Sequence, residues 1–87
     1  MAVRLIAYDL NKPRQNHAKV LKKIKTYSWA MLSESSYAVR TNEVPSTIVN
    51  KFEPLLDDND SFLVLTLTQP YQGQADKGVV DWLQTAL

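Results

Sequence analysis

The chain has 87 residues, 45% of them hydrophobic and 22% charged, as is typical of one small soluble globular domain rather than a disordered chain. It contains no cysteine, which excludes disulfides, thiolate metal sites and a cysteine nucleophile, and no apolar run approaches the length of a membrane span. Met1 leads almost directly into the first predicted strand without the pattern of a signal peptide, so we expect a cytoplasmic protein.

The net charge of +1 hides an asymmetry between the two halves of the chain. Residues 1–40 hold eight basic and two acidic side chains (net +6), whereas residues 41–87 hold two basic and seven acidic ones (net −5). Such a distribution indicates a basic surface that could meet phosphates. A solvated helix face is the alternative interpretation of the same lysines.

The first predicted element is a central strand, because residues 3–8 carry apolar side chains on both faces. Asp9 comes where this pattern stops, and Asn11-Lys12-Pro13 then turns the chain. A carboxylate at the end of a buried strand is well placed for chemistry. It is also ordinary turn material, so both interpretations of Asp9 stay open.

Helical spacing predicts a first helix over about residues 13–27, with an apolar stripe formed by His17, Val20, Leu21, Ile24 and Tyr27. The remaining arc carries Lys19, Lys22, Lys23 and Lys25, which either bind phosphates or form a solvated face that complements the helix dipole. His17 is the only histidine. It is a packing residue unless the tertiary structure brings it a partner, in which case it could act as a base or a metal ligand.

Residues 28–33 and 35–41 predict an antiparallel hairpin whose turn is rich in serine. Ser33 and Ser35 are candidates for contacts with phosphate oxygens, although serines at a turn need no such role. A second helix begins near Pro45 and is expected to break near Glu53, because Pro54 cannot continue it. Residues 62–68 predict the strongest strand, and a short closing helix begins near Asp76 or Gly78.

The predicted order β-α-β-β-α-β is that of a ferredoxin-like α+β domain, with a four-stranded antiparallel sheet and both helices on one face. We expect residues 1–87 to form a single domain, with a core of about residues 3–68 and a helical C-terminal tail of about residues 69–87. Ile6, Tyr8, Phe62 and Val64 are expected to leave the opposite sheet face partly apolar. A two-fold homodimer would cover that face most simply.

Three segments together resemble the CRISPR-associated Cas-two fold, and in particular its standalone SinR-like and VapD-like relatives. They are Ile6-Ala7-Tyr8-Asp9-Leu10, the lysine-rich helix, and Ser35-Ser36-Tyr37-Ala38-Val39. The resemblance implies a homodimer in which the Asp9 side chains of two subunits together bind Mg²⁺ for phosphodiester cleavage. The arginine-rich stretch of that family is reduced here to Lys12 and Arg14, and its fifth strand is replaced by residues 69–73 and the tail.

Two functions follow from these observations. The first is a Mg²⁺-dependent nuclease acting on RNA or DNA, with Asp9 as the catalytic residue and metal ligand. The second is a non-catalytic homodimer that binds nucleic acid or a protein partner in a toxin–antitoxin or regulatory setting. The candidate nucleic-acid-binding residues are Lys12, Arg14, Lys19, Lys22, Lys23, Ser33 and Ser35. With one candidate acid per subunit, the residues alone favour the second function.

Overall fold

The computed structural model describes residues 1–11 and 13–87, and the side chains of all of these except residues 13–15. The strands are β1 (Ala2–Asp9), β2 (Ser28–Ser33), β3 (Ser36–Thr41) and β4 (Ser61–Leu67). The helices are α1 (Pro13–Ile24), α2 (Pro45–Phe52) and α3 (Lys77–Ala86), and a single 3₁₀ turn (Glu53–Leu55) follows α2. The chain is therefore an α+β domain of the predicted ferredoxin-like arrangement with a C-terminal helix.

The four strands form one antiparallel sheet in the order β2-β3-β1-β4, so β1 is a central strand and β2 and β4 are the two edges. β1 pairs with β3 from Ala2↔Thr41 to Ala7↔Ser36 and with β4 from Val3↔Leu67 to Asp9↔Ser61. The apolar character of both faces of β1 thus predicted its central place. Asp9 is the last residue of the strand rather than part of the following turn.

One face of the sheet packs against α1 and α2 and contains the largest core cluster. Ile6 and Tyr8 of β1 lie there, together with Val20, Ile24, Ile48 and Phe52 of the helices. Phe62 and Val64 pack against the same cluster. The prediction that Ile6, Tyr8, Phe62 and Val64 leave an uncovered face was wrong. Alternation identifies which residues share a face, but only the packing of the helices decides which face is covered.

The opposite face carries the odd-numbered residues of β1 and β4, and the C-terminal segment partly covers it. α3 packs against β2, and Val3 lines a cleft with Ala86 and Leu87 near the start of β1. Val3 is accordingly 1% exposed. Leu63 and Leu65 lie nearer the N-terminal end of β4 and are 60% and 47% exposed. Hence α3 docks on its own chain and leaves one apolar part of this face open.

The ends of both core helices have local causes. α1 stops at Ile24, three residues before its predicted end, and the Thr26 hydroxyl then donates to the Lys23 carbonyl oxygen at 2.7 Å. α2 stops at Phe52 and passes into the 3₁₀ turn that contains Pro54, which confirms the predicted break near Glu53. Among the described residues, no helix combines the length and apolarity needed to cross a membrane.

Candidate functional site

A cleft of about 320 Å³ opens at the end of the sheet where β1 finishes. Three parts of the chain meet there: the last residues of β1, the first half of α1 and the turn between β2 and β3. The β1–β3 ladder joins the first and the third, since the Tyr8 amide donates to the Ser35 carbonyl oxygen at 3.0 Å. The residues that line the cleft are Tyr8, Asp9, Leu10, His17, Glu34 and Ser35.

Tyr8 connects all three parts through its hydroxyl group. This hydroxyl donates to the Glu34 carbonyl oxygen at 3.2 Å and lies 3.0 Å from Nε2 of His17. A phenol has one proton, so when it goes to Glu34 the His17 ring must donate from Nε2. When the ring is neutral, its Nδ1 is then unprotonated, and Nδ1 accepts no hydrogen bond from the described residues.

Burial, followed by the nearby Tyr37 hydroxyl, raises the pKa of Tyr8 to about 12. Tyr8 therefore stays protonated at neutral pH and acts as a hydrogen-bonding group, not as an anion. The tertiary structure gives His17 a hydrogen-bond partner in Tyr8, nine residues earlier in the chain. The cleft thus holds an imidazole hydrogen-bonded to a phenol, with Asp9 at its rim.

The Asp9 side chain is exposed at the end of β1, opposite Ser61 of β4. Strand alternation places it on the sheet face of Val3, Leu5 and Ala7, not on the face of Tyr8. Within the described part of the chain, no three His, Asp or Glu side chains are grouped so that they could hold a metal ion.

The lysines of α1 differ in whether they contact other parts of the chain. Lys19 and Lys22 are exposed, and neither has an ion pair among the described residues. Lys23 donates to the Lys51 carbonyl oxygen at 3.0 Å and lies over the Phe52 ring, so it joins α1 to α2. Of the remaining basic candidates, Lys12 and the side chain of Arg14 lie outside the described residues.

The two candidate serines occupy the turn between β2 and β3. The Ser33 and Ser36 hydroxyls share a hydrogen bond of 2.6 Å, and the Ser35 amide donates to Ser33 Oγ at 3.3 Å. Ser33 thus stabilises the turn that carries Ser35 to the cleft. Ser35 is exposed there and lines the cleft together with His17 of α1.

Two features of this region could not be predicted from sequence patterns. Glu34 enters the cleft through its carbonyl oxygen, a group that every residue possesses. The second is a network just beyond the C-terminal end of α1. In it, Glu43 forms an ion pair with Lys51 and accepts a hydrogen bond from the Tyr27 hydroxyl at 2.5 Å. Both bonds lower the pKa of Glu43, and the bond from Lys51 has the larger effect.

Comparisons with models of known protein families, with curated proteins and with solved structures found no match.

Proposed function

We propose that the chain is a homodimeric nucleic-acid-binding protein of the Cas-two-like type, in which α1 contacts the phosphate backbone. The observation that carries this proposal is the pair of exposed lysines on α1, Lys19 and Lys22, which have no acidic partner among the described residues. Ammonium groups without a partner on a rigid helix can neutralise phosphates without first breaking an ion pair.

The distribution of the other charges supports the same surface. Both described ion pairs lie outside α1, one between Lys51 and Glu43 and the other between Lys77 and Asp81. Positive charge elsewhere is thus partly neutralised, while Lys19, Lys22 and Lys23 of α1 have no ion pair among the described residues. The exposed Ser35 lines the same cleft as His17 of α1 and could donate to a phosphate oxygen.

The test is the salt dependence of binding to labelled duplex DNA and single-stranded RNA, measured by fluorescence anisotropy. Reversing Lys19 and Lys22 to glutamate should weaken binding to both probes, with the larger effect at low salt. For duplex DNA, replacing both lysines by glutamine should reduce the slope of log affinity against log salt by about 1.8 for each α1 helix that contacts the DNA.

A matched control for a single reversal is available on α3. Lys22→Glu and Lys77→Glu change the net charge equally. Lys77 is highly exposed, and its ion pair among the described residues is with its helix neighbour Asp81. We expect Lys22→Glu to weaken binding much more than Lys77→Glu. Equal effects would show that binding follows overall charge and would refute a specific role for α1.

A second candidate function is Mg²⁺-dependent phosphodiester cleavage with Asp9 as the catalytic metal ligand. The observation in its favour is that Asp9 is exposed at the rim of the cleft that holds His17. Two Asp9 carboxylates from a dimer could hold Mg²⁺ while water and a phosphate oxygen complete its coordination.

The variant Asp9→Asn tests this candidate, with Asp58→Asn as the control because Asp58 is an exposed acid of the loop before β4. Purified wild-type protein should cleave labelled RNA or DNA with Mg²⁺ and lose this activity in EDTA. Asp9→Asn should abolish cleavage while Asp58→Asn retains it. Full activity in Asp9→Asn would eliminate Asp9 as the metal ligand.

A further inference from the structure

The two edges of the sheet are protected to different degrees. Edge strands expose unpaired backbone groups, and proteins commonly block them with charges, proline, bulges or covering segments. β2 has such protection: it has a register shift between Met31 and Ser33, α3 packs against it, and the Lys25 ammonium lies 4.9 Å from the Trp29 ring centroid. β4 is regular along its whole pairing with β1 and has neither charge nor proline from Ser61 to Thr68.

The ladder identifies the backbone groups that β4 leaves free. The Tyr8 amide donates to Ser35, so the even-numbered residues of β1 bond towards β3 and the odd-numbered ones towards β4. The odd-numbered residues of β4 therefore bond to β1. The amides and carbonyls of Phe62, Val64 and Thr66 point away from the sheet, and the described residues offer them no partner.

We propose that a second copy of the chain pairs with this edge, β4 against β4 in antiparallel orientation, to form a continuous eight-stranded sheet. The proposal rests on the homodimer of the proposed function and specifies its interface. With the two-fold axis at Val64, each Val64 faces its copy and each Phe62 faces Thr66. All three residues with free backbone groups are then paired in both copies.

The side chains are complementary in this arrangement. Leu63 of one copy faces Leu65 of the other on the open face of the sheet, so the two most exposed leucines of the strand bury each other. The ends also match in charge. Asp57 and Asp58 precede β4, whereas the Arg4 guanidinium bonds to Thr66 Oγ1 at 2.5 Å near its other end. Antiparallel pairing places the acidic end of each copy nearest the basic end of its partner.

This dimer has a consequence for Asp9. Across the sheet, the two β1 strands lie three strand spacings apart, which is about 14 Å. Along the strands, the two Asp9 residues are displaced from each other by about six residues, which is roughly 20 Å. The two carboxylates are then about 25 Å apart. One cation cannot bridge them, so this interface favours nucleic-acid binding over cleavage at a shared metal site.

Light scattering coupled to size exclusion tests the interface. Wild-type protein at micromolar concentration should have twice the 9.9 kDa mass of one chain. Leu65→Lys should raise the dissociation constant about 100-fold, because it brings ammonium groups into an apolar contact across the axis. Met31→Lys is the control: Met31 is 48% exposed, close to the 47% of Leu65, but lies on the other edge strand. It should leave the dimer intact.

A monomeric wild-type protein would overturn the proposal, as would a dimer that Leu65→Lys does not weaken or that Met31→Lys weakens equally. Hydrogen exchange on the wild-type protein is a second measurement that does not depend on how a variant folds. The amides of Phe62, Val64 and Thr66 should become protected as the protein concentration rises. Rapid exchange of these amides in a wild-type dimer would place the interface elsewhere.

Nucleic-acid binding, measured on the same samples, separates this inference from the proposed function. A dimer formed through β4 that binds neither DNA nor RNA would refute the role of α1 and leave the interface standing. A monomer with salt-dependent binding through Lys22 would refute the interface and leave the role of α1.

Spin labels on Asp9→Cys should lie near 25 Å apart, and the chain has no other cysteine to label. A separation below about 10 Å would overturn the proposed register.

Discussion

The Tyr8 hydroxyl is a sensitive point at which to test the described cleft. Tyr8→Phe keeps the ring, which is 7% exposed, and removes two hydrogen bonds, one to the Glu34 carbonyl oxygen and one from His17. Each such bond contributes about 0.5–1.5 kcal/mol. Water can satisfy part of what is lost, because Glu34 is exposed and His17 is half-buried. We therefore expect a loss of about 1–2 kcal/mol in the free energy of unfolding.

Urea unfolding followed by circular dichroism measures this loss, provided that the wild type and the variant have equal m-values. In a domain of this size the melting temperature should fall by roughly 4–8 °C per kcal/mol. Tyr37→Phe is the control, because Tyr37 is 3% exposed and its hydroxyl has no hydrogen bond among the described residues. A loss for Tyr37→Phe as large as that for Tyr8→Phe, or no loss for Tyr8→Phe, would refute the reasoning.

Three further predictions concern stability. The raised pKa of Tyr8 stabilises the folded state below pH 10, the ordinary tyrosine value, and this contribution should be lost as the pH rises to about 12. Urea unfolding of the wild type at a series of alkaline pH values should therefore show a fall in the free energy of unfolding, and the fall should be smaller in Tyr8→Phe. The lowered pKa of Glu43 contributes stability above about pH 4.5, and this stability is lost as the pH falls through the lowered value. Glu43→Gln should therefore reduce the free energy of unfolding by less than about 1 kcal/mol at neutral pH. In the variant, the melting temperature should also fall less steeply as the pH is lowered. Phe52→Ala should cost about 3–5 kcal/mol in urea unfolding, because Phe52 is 0% exposed and its ring packs 5.0 Å from that of Phe62.

The sequence allowed the order of the elements to be predicted because each has a local cause. Alternation of apolar residues marks β1 and β4, three- and four-residue spacing marks the helices, and Pro54 ends α2. The ferredoxin-like arrangement then follows, since few topologies join these elements with short connections. The candidate site was predicted in part. Asp9 and Ser35 both line the cleft, but the contribution of Tyr8 was not predicted.

Three features were decided only by the tertiary structure. A period of two along β1 separates Ile6 and Tyr8 from Leu5 and Ala7, but the helices alone determine which pair is buried. The contact between Tyr8 and His17 requires α1 to pack on the sheet face that carries Tyr8. The free edge of β4 follows from strand order and from the direction of one ladder bond, that of the Tyr8 amide. Local sequence determines backbone conformation, whereas these features depend on contacts between residues far apart in the chain.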